Sequence, residues 1–246
     1  MYKTRVQRST NSSHAFTRLE LLACILGCGL VMAVILPGLA NSTARSDRVL
    51  CVNNLRQIGV AYANFGLEHG DAPPWRVPFS QGGTAGHPLK NYLYAQFSAI
   101  SNWLGSPKLL ADPGDERRTL NPAQHWGTTP GGLWVPPHQN NAVSYFLGIS
   151  GTHRSPRAVL SGDRNLSGGN LDSHCPGFFD VCVVIDVPLA RWTNDVHGSF
   201  GNLLFFDGAV EQTDSARLRE AFQNGTGSYD TNGVIRWTGL MMPPSY

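Results

Sequence analysis

The sequence predicts an α+β protein in which one long N-terminal helix packs on a small antiparallel sheet with loop-rich insertions. Three observations predict this class. Apolar residues dominate residues 16–40 and then recur every three to four residues up to residue 69. Short strand-like runs separated by turns follow in the second half of the chain. Glycine and proline are abundant (27 and 16 of 246 residues), and only 15% of the residues are charged, which is typical of a loop-rich head.

The N-terminal segment combines a basic leader with an apolar run. Lys3, Arg5 and Arg8 precede it, and residues 21–36 carry no charged side chain. As a helix, residues 16–40 would be roughly 37 Å long, enough to cross a hydrocarbon core of about 30 Å. The positive-inside rule then predicts a single-pass inner-membrane protein, with a cytoplasmic N-terminus and a head that is periplasmic or extracellular.

The order of parts in this segment differs from that of a secretory signal peptide, because the small residue Ala15 precedes the apolar run. The run begins "FTRLELL", with Phe16 first and Glu20 fifth. This arrangement resembles the type IV prepilin leader. The resemblance implies cleavage between Ala15 and Phe16, N-methylation of Phe16, and a pilin-like fold. Two residues depart from the family pattern: Ala15 replaces glycine, and Arg18 replaces an apolar residue.

Glu20 is a candidate functional residue because a carboxylate is unfavourable in an apolar run. The resemblance implies that it pairs with the free amine of Phe16 on a neighbouring subunit and so sets the axial register of a filament. Such a pair attracts strongly where the dielectric is low. Pro37 lies where pilin helices commonly have a proline and is a second assembly residue. The alternative is that Glu20 lies at the membrane interface and pairs only with Arg18 of its own chain.

The chain is expected to begin with a leader (1–15) and a transmembrane and polymerisation helix (16–40). Residues 41–69 are then expected to form an amphipathic stem helix. Its stripe consists of Val49, Val52, Leu55, Ile58, Gly59, Tyr62, Phe65 and Gly66. The run "CVNNLRQIGVA" resembles the one that follows the anchor in a group of pseudopilin-like proteins. In that group the cysteine faces a later "Cys-Pro-x-Asp" stretch. Here Ala111 in "LADPGD" replaces the second cysteine, so Cys51 is expected to be unpaired or differently paired.

Residues 70–246 are expected to form the α+β head. "LKNYLYAQFSAISNWLG" predicts a helix, and "AVSYFLGI", "AVLSGD" and "DVCVVIDV" predict strands. "GNLLFFDGAVEQ" predicts a hairpin with a type I′ turn at Asp207-Gly208. Asp214 is expected to cap a helix that ends near Phe222. The tail "GSYDTNGVIRWTGL" predicts a further hairpin or an extended strand.

The hairpin also carries a spacing motif, since nine residues separate His197 from Asp207-Gly208. This spacing is similar to that of the processing-associated C-terminal domain of prepilin-like proteins. We expect Asp207 to form the turn and His197 to hydrogen-bond the nearby backbone. The alternative is a metal or acid–base cluster, for which no known ligand spacing is present. Its candidates are Asp163, His174, Asp186, Asp195, His197 and Asp207.

The cysteines provide one candidate disulfide. Cys175 and Cys182 flank "CPGFFDVC", a spacing that permits a bridge in an oxidising compartment. Cys24 and Cys28 are expected to be small packing residues in the apolar run. No metal or other cofactor is expected. The alternative is calcium held by oxygens of "SGDRN", "DTNG" or "LADPGD".

Together these features predict a non-enzymatic pseudopilin of a type II secretion machine or a related pilus. Its expected partners are the prepilin peptidase and methylase, other pseudopilin subunits and the inner membrane. A net charge of +2 predicts no nucleic-acid partner. One alternative is a membrane-anchored module that binds a glycan or other substrate. Another is an anchored hydrolase that uses His197 and nearby acids. The binding module's candidate residues are Trp75, Trp126, Trp134 and Trp192.

Overall fold

The structure is a computed structural model that describes residues 17–119, 121–151, 155–172, 182–225, 228–229 and 235–242. It confirms the α+β class. The chain divides into two compact units, Met1–Ala44 and Arg45–Tyr246. The α-helices described are α1 (Arg18–Glu68), α2 (Leu93–Ala99), α3 (Glu116–Thr119) and α4 (Ser215–Gln223).

The strands of the described residues form a larger sheet than the sequence predicts. They are β1 (Tyr145–Gly148), β2 (Val159–Asp163), β3 (Leu166–Ser167), β4 (Gly169–Asp172), β5 (Cys182–Asp186), β6 (Arg191–Trp192), β7 (Gly201–Phe205), β8 (Val210–Thr213), β9 (Ser228–Tyr229) and β10 (Ile235–Met241). Eight of them form one antiparallel sheet in the order β4-β5-β10-β1-β2-β7-β8, with β9 paired to β10. The sheet is this large because the C-terminal strand β10 lies between β1 and β5 and joins two groups of strands. β3 and β6 pair separately.

No helix among the described residues is both long enough and apolar enough to cross a membrane. The predicted single-pass placement in the inner membrane, with residues 16–40 as the span, is therefore wrong. Arg18 and Glu20 occupy the first turn of α1, and a charged side chain is unfavourable in the hydrocarbon core of a membrane.

Within the unit Arg45–Tyr246, the stem part of α1 packs on one face of the sheet. Its buried stripe includes Leu55, Ile58 and Tyr62, as the sequence predicts, whereas Val49 at its start is 59% exposed. Side chains alternate across a strand, so neighbouring residues of β1 enter different cores. Tyr145 joins the core beneath α1, and Phe146 joins the core beneath α4.

The hairpin β7–β8 forms as predicted, but its turn is of a different type. A type I′ turn needs positive φ at both central residues. Asp207 is absent from the described residues with positive φ, whereas Gly208 has φ 83°. The Gly208 N–H donates to Phe205 O at 3.0 Å, and the Phe205 N–H donates to Ala209 O at 2.9 Å. A three-residue loop whose last residue is a left-handed glycine is the pattern of a type I turn with a G1 bulge.

The remaining predicted elements are placed as follows. α2 is shorter than the predicted helix and is followed by a 3₁₀ turn, Ser101–Trp103. α4 begins as predicted, because the Arg217 N–H donates to Asp214 Oδ1 at 2.8 Å. The predicted C-terminal hairpin is β9 paired with β10. Several predictions lie outside the described residues or side chains: those for Ala15, Phe16, Pro37, His174, Cys175, Cys182 and "DTNG".

Candidate functional site

Four side chains that are distant in sequence meet where the stem part of α1 approaches the C-terminal end of β2. Cys51, Asp112, Asp163 and His197, here called the Cys51 cluster, each offer one ligand atom, and these atoms all lie within 4.8 Å of one another. All four side chains are buried, with Cys51, Asp112 and Asp163 at 0% exposure and His197 at 5%. Burial of this many ionisable groups in one place is unusual, because each charge loses its hydration.

Each member of the cluster is positioned by a different element. Cys51 lies four residues before Leu55 on α1 and so faces the same side as the buried stripe. Asp163 is the last residue of β2. Asp112 follows the 3₁₀ turn Pro107–Leu110, and His197 lies in the loop that precedes β7.

Hydrogen bonds connect the four side chains into one network. The Cys51 thiol donates to Asp163 Oδ1 at 3.0 Å. His197 Nε2 lies 2.9 Å from Asp112 Oδ2 and 3.8 Å from Asp163 Oδ2. Asn202, on β7, donates to Asp163 Oδ2 from its backbone N–H at 2.7 Å and from Nδ2 at 2.9 Å. The same amide nitrogen lies 3.3 Å from Cys51 Sγ.

The buried environment shifts the pKa values of these groups. Burial raises the pKa of Asp163 to about 7, and the neighbouring charge of Asp112 adds to the rise. Burial also raises the pKa of the Cys51 thiol well above its usual value, as do the charges of Asp163 and Asp112. For His197, burial opposes the charged ring, but the hydrogen bond with Asp112 and the charge of Asp163 outweigh it and raise its pKa.

A second layer of contacts holds the loops that carry the cluster. Arg164 forms a bidentate ion pair with Asp115, and its Nη2 lies 2.7 Å from Asp115 Oδ1. The Ser144 hydroxyl donates to Asp115 Oδ2 at 2.9 Å. Asn165 Nδ2 donates to the carbonyl oxygens of Thr193 and Phe200, on either side of His197 in sequence. These contacts fix the segments around Asp112 and His197 relative to the end of β2.

The structure brings together part of the predicted acid–base set. His197 and Asp163 meet, but the ring of His197 pairs with a carboxylate and not with the backbone near the turn, so that expectation is wrong. Asp207 shapes the hairpin turn as predicted, accepting a hydrogen bond from the Ala209 N–H at 2.9 Å. Asp195 accepts a hydrogen bond from Thr193. Asp186 lies on β5 with a buried Oδ1 that has no hydrogen-bond partner.

Sequence reasoning missed two members of the cluster, Cys51 and Asp112. Cys51, Leu55 and Ile58 have helical spacing, so the buried stripe could have been extended to the cysteine. Asp112 belongs to "LADPGD" and Asp163 to "SGDRN", two of the three stretches considered for calcium. The structure places these two stretches side by side, a contact that no local pattern reveals.

The tryptophans proposed for glycan binding contribute mainly to the core. Trp75 and Trp192 are buried, at 1% and 4% exposure. Trp126 and Trp134 are partly buried and pack against the same core as the stem helix. Trp134 also lines a pocket of about 240 Å³. The four indoles therefore do not form one exposed aromatic surface.

The N-terminus of α1 is capped by reciprocal hydrogen bonds between Thr17 and Glu20. The Thr17 N–H and hydroxyl donate to Glu20 Oε2 at 2.9 and 2.8 Å. The Glu20 N–H lies 3.3 Å from Thr17 Oγ1. This is a capping box, and its hydrogen bonds lower the pKa of Glu20. The carboxylate is thus ionised and fully exposed to solvent.

Comparison of the chain with protein-family models, with curated proteins and with solved structures found no match.

Proposed function

We propose that the chain is a prepilin-like structural subunit, a pseudopilin that is processed by a prepilin peptidase and assembles into a type II secretion pseudopilus or a related pilus. The observation that carries this proposal is the exposure of apolar side chains in the first part of α1. Eight large ones are between 56% and 80% exposed: Leu19, Leu21, Leu22, Ile25, Leu26, Leu30, Val31 and Met32.

These eight side chains are distributed around the whole circumference of the helix. A surface helix of a globular protein has one apolar stripe, whereas a helix that is apolar on all sides is normally surrounded. Burial of apolar surface contributes about 25 cal/mol per Å². Identical helices from neighbouring subunits would bury all sides of this segment at once, which supports a bundle of copies over a single docking partner.

Glu20 gives such a bundle its register. Its carboxylate is exposed and ionised, and the described contacts that it makes are those with Thr17 of its own chain. After cleavage before Phe16, the new ammonium group of a neighbouring subunit would provide a positive partner for it. An ion pair desolvated between helices is strongly favoured over an unpaired carboxylate.

The proposal includes no catalytic activity. The Cys51 cluster contains groups suited to acid–base chemistry, but its side chains are at most 5% exposed. A general acid or base must reach its substrate within hydrogen-bond distance. The exposed helix and the buried cluster together support a structural role over a hydrolytic one.

Processing is tested by mass spectrometry of the full chain co-expressed with a prepilin peptidase. We expect a mature chain that begins at Phe16 and carries the extra mass of one methyl group. A chain that retains residues 1–15 in the presence of an active peptidase would contradict the proposal.

Assembly is tested with three variants of the processed chain, scored by electron microscopy of filaments. Glu20→Gln keeps an oxygen that can accept the hydrogen bonds from Thr17 but removes the charge, so we expect an intact helix and no filaments. Glu20→Ala is expected to lose filaments as well. The matched control is Thr17→Val, which removes the hydroxyl contacts but keeps the charge and should still assemble. Filaments formed by Glu20→Gln would show that the charge is not needed and would overturn this role.

A further inference from the structure

We infer that Cys51, Asp112, Asp163 and His197 bind one zinc ion, which joins the stem part of α1 to the sheet and to two loops of the head. This site is separate from the filament proposal, because all four residues belong to the unit Arg45–Tyr246 and none belongs to the exposed apolar segment. It also departs from the sequence-based expectation of no metal.

The donor set selects the metal. One thiolate, one imidazole and two carboxylates are ligand types that zinc accepts in tetrahedral sites. Calcium and magnesium take oxygen ligands almost entirely, so a sulfur and a ring nitrogen disfavour both. The stretches "LADPGD" and "SGDRN", both considered for calcium, do meet here, but Cys51 and His197 add a sulfur and a nitrogen donor to their oxygens.

The distances between donor atoms suit one small ion. Zinc bonds of about 2.0–2.3 Å in a tetrahedron separate the ligand atoms by roughly 3.3–3.8 Å. Cys51 Sγ and Asp163 Oδ1 are 3.0 Å apart, and His197 Nε2 lies 2.9 Å from Asp112 Oδ2. All four atoms lie within 4.8 Å of one another. Side-chain adjustments of about an ångström therefore convert the hydrogen-bonded cluster into a coordination shell.

Asn202 provides an independent sign that the polar network is incomplete. Its side chain is fully buried, and its Nδ2 donates towards Cys51 Sγ and Asp163, yet its Oδ1 has no hydrogen-bond partner. Buried polar atoms without a partner are uncommon, and each calls for an explanation such as an ion or a water. The amide nitrogen thus lies beside the ligand atoms, and the described side chains leave the polar network around it incompletely satisfied.

The surrounding contacts favour a fixed site. The bidentate pair of Arg164 with Asp115 and the three contacts of Asn202 hold the segments that carry the ligands. The Gly114 N–H donates to Asp112 Oδ1 at 2.8 Å, which orients this carboxylate and leaves Oδ2 facing His197. Such outer contacts orient metal ligands and set their affinity.

Zinc binding exchanges protons and involves no redox change. The Cys51 thiol releases its proton and binds as a thiolate. His197 Nε2 gives up its proton and binds with its lone pair. The two carboxylates bind as anions. Zinc therefore replaces the protons that otherwise hold the four groups together in the buried cluster.

The test uses the full chain, stripped with a chelator and then titrated with Zn²⁺ alone or Co²⁺ alone. We expect one equivalent of Zn²⁺ to bind and to raise the Tm, and Ca²⁺ to leave the Tm unchanged. Co²⁺ is expected to produce the near-ultraviolet charge-transfer band of a thiolate ligand and the visible bands of tetrahedral coordination. A wild-type chain that binds neither ion, or that responds to Ca²⁺ alone, overturns the proposal.

Variants identify the ligands. Cys51→Ser should abolish the thiolate band, and His197→Gln should weaken Zn²⁺ binding at least tenfold. Cys24→Ser and Cys28→Ser are matched controls, because both thiols are exposed and outside the cluster, and the band should persist in them. If the band is lost in these controls and retained in Cys51→Ser, the ion is bound by Cys24 or Cys28, and the proposed site is overturned. If Cys51→Ser fails to fold, the band is measured in a variant in which Cys24, Cys28, Cys175 and Cys182 are all replaced by serine. Its presence there supports Cys51, and its absence refutes it.

Discussion

At the scale of single residues, two of the arginine–carboxylate pairs among the described residues lie in opposite environments. Arg164 and Asp115 are 5% and 0% exposed, whereas Arg217 and Glu211 are 33% and 30% exposed. Removal of one partner from a buried pair leaves an uncompensated charge without solvent. An exposed pair is screened by water, and its loss costs little. The buried and the exposed pair can therefore be compared within the same protein.

We predict that Asp115→Asn destabilises the full chain by about 3–5 kcal/mol, because Arg164 keeps its charge but loses its carboxylate. The control, Glu211→Gln, removes the carboxylate charge from the exposed pairs with Arg217 and Arg157 and should cost less than about 1 kcal/mol. Urea unfolding followed by circular dichroism measures both. Similar losses in the two variants would mean that burial does not determine the strength of the pair.

At the scale of elements, the nine-residue spacing between His197 and Asp207-Gly208 has a structural explanation. The strand β7 fills most of this interval, with His197 before its first residue and the turn after its last. A strand of five residues spans about 17 Å. The two ends of the motif are thus far apart and have separate tasks: His197 joins the Cys51 cluster, and Asp207-Gly208 reverses the chain into β8.

We predict that Gly208→Ala lowers the stability of the full chain by about 1 kcal/mol, because a residue with a Cβ is disfavoured at φ 83°. An added Cβ at Gly208 would have no atom within 4 Å, so backbone strain alone would act. The matched control is Gly225→Ala, where φ is not in the left-handed region and the nearest atom would be 3.4 Å away. Thermal unfolding measures both, and an equal loss in the control would refute the role of φ.

The elements that the sequence predicts well depend on local patterns. The stripe through Leu55 and Tyr62 follows helical spacing, and the cap at Asp214 follows from side-chain chemistry at a helix start. The position of β10 between β1 and β5 depends on pairing between distant segments and was not predicted. The prediction of the hairpin is correct and the prediction of a type I′ turn is wrong, because Asp-Gly suits both a type I′ turn and a type I turn with a bulge.

At the scale of the whole molecule, the Cys51 cluster links parts of the head that are distant in the chain. Cys51 and Asp163 are 112 residues apart, and Asp112 and His197 are 85 residues apart. The sequence names Asp163 and His197 for an acid–base cluster and includes Asp112 only in a stretch considered for calcium, because contacts over such separations leave no local signal. The protonation state of the cluster is consequently coupled to the stability of the entire head.

We predict that the metal-free chain loses stability as the pH rises from about 4 to 8. The pKa of Asp163 is raised to about 7 in the folded state, so its contribution is complete below its ordinary value of 3.8 and is lost as the pH passes 7. His197 also has a raised pKa, so its contribution is complete below 6.5 and is lost above its folded value. Both groups therefore lower the stability of the folded chain as the pH rises. Urea unfolding in the presence of a chelator, with Asp163→Asn as the reference, isolates the contribution of Asp163. The free energy of unfolding of the wild-type chain should fall relative to that of Asp163→Asn as the pH rises, and a rise would contradict the prediction.

The zinc-loaded chain should show the opposite trend. Because the ligands must be deprotonated to bind, zinc affinity rises with pH, and the stabilisation by bound zinc grows with affinity at a fixed zinc concentration. We therefore expect the Tm difference between zinc-loaded and stripped protein to increase from pH 5 to 8. His197→Gln and Asp163→Asn should reduce that increase, whereas Asp207→Asn, in the hairpin turn outside the cluster, should not. A Tm difference that stays constant with pH would mean that zinc does not displace the protons of these side chains.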